Sequence, residues 1–142
     1  MINFFGNKEK DINSSDDSFS KIASLLVYAA KIDEAYTKDE ENIIKKTLLE
    51  LGAENSKIDK IMSNALIIEE NSNQILEFTK EVKNISELNK IKIIESLWKI
   101  IYSNNNADIY ETNLMRRLAG LLYIDQKTMG DIKEKIKKEL TK

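Results

Sequence analysis

Residues 86–102 read Ser86-Glu87-Leu88-Asn89-Lys90-Ile91-Lys92-Ile93-Ile94-Glu95-Ser96-Leu97-Trp98-Lys99-Ile100-Ile101-Tyr102. Leu88, Ile91, Ile94, Leu97, Trp98, Ile101 and Tyr102 recur three or four positions apart. That is the spacing of side chains along one face of an α-helix, and it is sustained too long for a strand. This helix is the most apolar in the chain, and the fold is read outward from it.

Upstream, Phe19, Ile22, Ala23, Leu26, Val27 and Ala30 define a first helix over about 18–31. A second begins after Thr37 and carries Ile43, Ile44, Thr47, Leu48 and Leu51. Gly52 follows its last apolar residue, where a left-handed helix stop is expected. A third starts near Ser56, with Ile58, Ile61, Met62, Ala65, Leu66 and Ile68. Asn71-Ser72-Asn73 separates it from a fourth holding Ile75, Leu76, Phe78, Thr79 and Val82. Downstream, a sixth follows Asp108 with Leu114, Met115, Leu118, Leu121 and Leu122. The seventh starts at Asp125 or Gln126 and carries Met129, Ile132, Ile136 and Leu140. The expected fold is all-α, a compact bundle of about seven helices. Residues 18–142 form the domain, with 1–17 a flexible arm: Phe4-Phe5 followed by a polar linker rich in Asn, Asp and Ser.

Composition narrows the chemistry. The 142 residues suit one domain with one core, and proline is absent with only four glycines, which favours long helices. With 22 basic and 24 acidic side chains the net charge is -2, which argues against a nucleic-acid partner. The lysines of 133–138 alternate with glutamate and isoleucine and read as a solvated helix face. Cysteine and histidine are both absent, so no thiol or imidazole nucleophile–base pair can be built, and no glycine-rich phosphate loop occurs. The expectation is that the chain is not an enzyme. A bound metal would have to sit on oxygen ligands, which suits calcium, magnesium or manganese. No apolar run approaches the ~18 residues of a membrane span and no secretory signal is present, so a cytoplasmic protein is expected.

Two segments echo one another. When Asp33 is aligned with Asn104, Thr37 falls on Asp108 and Glu40 on Glu111, at one common offset. Each segment is an apolar helix, a short polar turn and a new helix, which suggests a helix-loop-helix unit used twice about a pseudo-twofold axis. Both turns resemble the Ala-Asp-Gly-x-(apolar)-x-x-x-Glu pattern of the TerB-like (tellurite-resistance protein B) family. The second continues Leu114-Met115-Arg116-Arg117-Leu118-Ala119-Gly120-Leu121-Leu122, similar to the Arg-Arg stretch of that family, and 102–122 is the most specific part of a likeness covering about 19–140. The chain departs from the pattern at Glu34 and Asn105, which replace turn glycines, at Asn104, which replaces an aspartate, and at Asn113, where a histidine is common. The resemblance implies an all-helical domain linked to tellurite and other stress responses, with a divalent cation held by acidic turns. Similar domains also precede DnaJ-like modules in co-chaperones, which implies protein docking.

The residues themselves support two readings. Thr37-x-x-Glu40 and Asp108-x-x-Glu111 both fit capping boxes, in which side chain and backbone satisfy one another at a helix start. Asp33 is not explained that way, because an anion near a helix C-terminus is disfavoured by the dipole. If the turns meet, Asp33, Glu40, Asn104, Asp108 and Glu111 become ligands for calcium, magnesium or manganese. The alternative is a metal-free adaptor docking a protein partner through Arg116, Arg117, Trp98 and Tyr110, since Trp, Tyr and Arg are favoured interface anchors. Arg116 or Arg117 can equally pair with Asp108 or Glu111 on its own helix. Self-association is left open by either reading.

Overall fold

The computed structural model describes residues 16–32, 36–71, 76–83, 85–103 and 109–140. The order is α1 (Asp16–Ala30), α2 (Lys38–Glu50), a 3-10 turn (Asn55–Lys57), α3 (Ile58–Asn71), α4 (Leu76–Lys83), α5 (Glu87–Tyr102), α6 (Ile109–Leu121) and α7 (Gln126–Leu140). Among the described residues seven α-helices thus form an all-α fold, as the periodicity predicts. None of the described helices is long and apolar enough to cross a membrane. Residues 1–15 of the arm expected over 1–17 lie outside the described residues, while Asp16 and Asp17 belong to α1; the turns at 33–35 and 104–108, on which the expected pseudo-twofold repeat depends, lie outside them too.

The helix at the centre is α1. It packs most extensively on α3 and also meets α2, α4 and α5. Sequence periodicity gives it one apolar face, but Leu25 and Ala29 are buried as well, along with Ser18, Ser20 and Ser24. A helix packed against four others keeps only a narrow polar solvent face, here Asp17 and Lys21. Ser18 and Ser24 fit because their hydroxyls find acceptors inside: Ser24 Oγ donates to the Ser20 carbonyl at 2.7 Å and Ser18 Oγ to Glu81 Oε2 at 2.8 Å, whereas the Ser20 hydroxyl is buried without a partner among the described residues.

The second half is organised by α5, which lies against α7, α1 and α2. Ile93, Ile94, Leu97, Ile100 and Ile101 fill its buried side. A buried bond from Thr47 Oγ1 to Ser96 Oγ, 2.8 Å, ties α2 to α5. Lys90 looks like a surface position in the sequence, yet it is buried, and its Nζ donates to the Leu122 carbonyl at 2.9 Å. The ammonium thereby closes the C-terminal end of α6, where helix carbonyls lack partners and the dipole is negative.

Two helices end in the same way. After α2, Ala53 N donates to Leu48 O at 2.9 Å and Gly52 N to Leu49 O at 3.1 Å, with Gly52 at φ 112. After α6, Ile124 N donates to Ala119 O at 2.9 Å and Tyr123 N to Gly120 O at 3.4 Å, with Tyr123 at φ 61. Both are Schellman stops, but the second places a tyrosine where a residue without Cβ is preferred. Tyr123→Gly is expected to be more stable than Tyr123→Ala by about 1 kcal/mol. Both variants lose the contact of Lys83 Nζ, 5.2 Å from the Tyr123 ring centroid, so their difference isolates the backbone. Paired urea melts check this, and equal midpoints would contradict it.

Candidate functional site

The first corner is built around the start of α2. Thr37 Oγ1 accepts from Glu40 N at 3.1 Å, and Glu40 Oε1 accepts from Thr37 N at 2.8 Å. This is a complete capping box, and Glu40 is 1% exposed within it. Beside it, Glu41 accepts from Lys45 at 3.0 Å and Lys38 at 3.4 Å, and the Lys45 bond holds the Glu41 carboxyl below its ordinary range. The Tyr36 hydroxyl is buried and has no hydrogen-bond partner among the described residues. Burial first, then the charges of Glu41 and Glu40, push this phenol up to about 12.

A raised phenol has a defined consequence. Folding favours its neutral form, so its contribution to stability is intact below the unfolded value of ~10 and is lost as pH rises from there through the folded value. In an alkaline titration followed by tyrosinate absorbance, one of the five tyrosines is expected to ionise last, near 12, and Tyr36→Phe to remove that step. Persistence of the late step in Tyr36→Phe would contradict the assignment.

Of the five residues expected to pool oxygens around a cation, Asp33, Asn104 and Asp108 lie outside the described residues. Glu111 is in the first turn of α6, with its side chain outside the described set. Only Glu40 is described in full, and its carboxylate is engaged in the cap. Among the described residues no group of three or more acidic side chains is placed to hold a metal.

The second cluster lies where α5, α6 and α7 meet. A cleft of about 130 Å³ is lined by Trp98, Met115, Arg116, Gln126, Met129, Gly130 and Lys133. Trp98 is only 3% exposed, and its indole N–H is buried with no hydrogen-bond partner among the described residues. Its ring stacks on Tyr102, with centroids 5.9 Å apart and planes 24° apart, and Lys133 Nζ sits 5.5 Å from its centroid. Arg116 is exposed, and its Nη1 donates to Asn113 Oδ1 at 3.4 Å; Asp108 and the side chain of Glu111, with which it can also pair, lie outside the described set. Arg117 is exposed too, and Tyr110 sits in the first turn of α6 with its side chain outside the described set.

Sequence reasoning names Trp98 and Arg116 here but misses their neighbours. Met115 and Met129 read as core, which they are, while also lining the cleft. Lys133 reads as part of a solvated lysine face. Gly130 carries the one signal that was available. It lies inside α7, where glycine costs about 1 kcal/mol relative to alanine. A Cβ built there meets nothing within 4 Å and its φ is not left-handed, so packing does not require it.

Helices arranged around a buried α1, without strands among the described residues, and with a tryptophan–arginine cleft on the second half, define an all-helical domain with a built recess on its surface. The family model described as tellurite resistance protein TerB matches residues 20–134, and the chain belongs to the TerB family. No curated protein and no solved structure matches it.

Proposed function

We propose that this tellurite-resistance-type domain is a non-catalytic interaction module of the cytoplasm that docks a partner protein in the cleft between α5, α6 and α7. The supporting observation is the cleft itself: an aromatic floor, an unmet indole donor, and a helix-interior glycine that packing does not require. Functional recesses are concave, largely apolar and carry a few convergent polar groups. At about 130 Å³ this one is smaller than the ~300–1,000 Å³ of small-molecule sites, and its size suits one anchoring side chain. Selection of a displayed library of short random peptides, with counter-selection on Gly130→Gln, tests the reading. Enrichment of peptides that bind the parent chain and not the variant is expected. A pool that ignores the variant would refute docking at this recess.

A second reading is favoured by the negative charge gathered at the first corner, where the charges of Glu41 and Glu40 act on a Tyr36 hydroxyl that has no partner among the described residues. In it, Asp33, Glu40, Asn104, Asp108 and Glu111 hold a divalent cation as part of a stress response. Calorimetric titration with calcium, magnesium and manganese decides between the two. Binding heat that disappears in Asp33→Ala supports the cation, and silence at millimolar metal removes it.

A further inference from the structure

We infer that the recess at Trp98 takes an acidic segment of a partner protein, with an apolar side chain seated on the aromatic and methionine floor and a neighbouring carboxylate against Arg116 and Lys133. This rests on the docking reading and specifies its ligand. Three of the residues that line the recess carry side-chain polar groups that are donors with no accepting capacity: Trp98, Arg116 and Lys133. Among the described residues the Trp98 donor is buried and unmet, which is unfavourable in the absence of an acceptor. Among the described residues Arg116 is met by a neutral amide and Lys133 by the face of an aromatic ring. A ligand complementary to this set brings acceptors and negative charge, and a carboxylate brings both.

The floor sets the other half of the ligand. Met115 and Met129 are polarisable and adaptable surfaces for an apolar side chain. Gly130 leaves open the space beside them. An apolar anchor flanked by acids fits both parts, whereas a basic segment meets like charge.

The chain has a single tryptophan, so its fluorescence reports this recess alone. Blocked peptides with Glu-Leu-Glu, Gln-Leu-Gln or Lys-Leu-Lys at their centre are titrated into the full chain. A saturable change in Trp98 emission is expected with Glu-Leu-Glu, about tenfold weaker binding with Gln-Leu-Gln, and none with Lys-Leu-Lys. Arg116→Gln and Lys133→Gln are each expected to weaken Glu-Leu-Glu binding by about tenfold, and rising salt to weaken it further. Gly130→Gln is expected to abolish binding while the melting temperature holds or rises, since the added Cβ has room. Equal binding of Gln-Leu-Gln, indifference to Arg116→Gln and Lys133→Gln, or no response to Glu-Leu-Glu would each overturn the acidic ligand. Those results leave docking itself to the library selection, in which neutral or basic peptides dependent on Gly130 would keep the recess and discard its proposed ligand.

Discussion

Leu26→Ala is expected to lower the unfolding free energy by about 3–4 kcal/mol, the largest loss of any single truncation considered for this chain. Leu26 is fully buried in a helix that packs against four others, so the surrounding side chains have little freedom to collapse into the space left. The lost transfer energy is therefore joined by the cost of a cavity. Against a total of roughly 5–15 kcal/mol for a domain, that leaves a marginal fold at ambient temperature. Ile67→Ala removes a similar side chain from an exposed position on α3 and is expected to change stability by no more than about 0.5 kcal/mol. Urea denaturation of the two variants measures the contrast. Equal losses would mean that α1 is not the central helix.

Glu40→Ala is expected to cost about 2 kcal/mol, because the part-buried Thr37 N–H loses its acceptor and the first turn of α2 loses half of its cap. Thr37→Ala breaks the same reciprocal pair, so the double variant is expected to lose less than the sum of the single losses. The gap between parent and Glu40→Ala is expected to be the same in chelator and in millimolar calcium or manganese. A cation bound through Glu40 would stabilise only the parent, in proportion to the logarithm of metal concentration. Thermal melts across a metal series measure this directly, and a gap that widens with metal would transfer the corner from capping to coordination.

The parts of the fold that were legible in the sequence are those set by local rules. The helical face of Ile94, Leu97, Trp98 and Ile101, the Thr37-x-x-Glu40 cap and the Gly52 stop each depend on a few residues adjacent in the chain, and the structure shows all three. What was not legible depends on neighbours distant in sequence. Burial of Leu25 and Ala29 follows from α1 being enclosed, and the sequence of α1 alone does not carry that information. Lys90 sits where a polar surface residue is expected, and only the end of α6 falling above it turns it into a buried cap. The stop at Tyr123 escapes notice because nothing in Leu122-Tyr123-Ile124 signals a left-handed residue.

The same distinction applies to the candidate sites. Trp98 and Arg116 are recognisable as anchors by residue type, but the recess they share needs three helices to close it. Lys133 belongs to a run whose alternating charges read as solvent-facing, and its seat over Trp98 arises from the packing of α7 on α5. Cation ligation by the paired turns required contacts between residues far apart in the chain, and of that set the structure describes only the Glu40 side chain, as a cap.

The claim on which the functional account depends is that the space around Trp98 attracts anions, although the chain as a whole carries a net charge of -2. Collisional quenching of the lone tryptophan by iodide and by caesium at matched ionic strength tests it without any ligand. Iodide is expected to quench more strongly, and the preference to fall away in Arg116→Gln combined with Lys133→Gln. Caesium quenching as strong as iodide in the parent chain would follow from the net charge alone and would contradict a cationic recess.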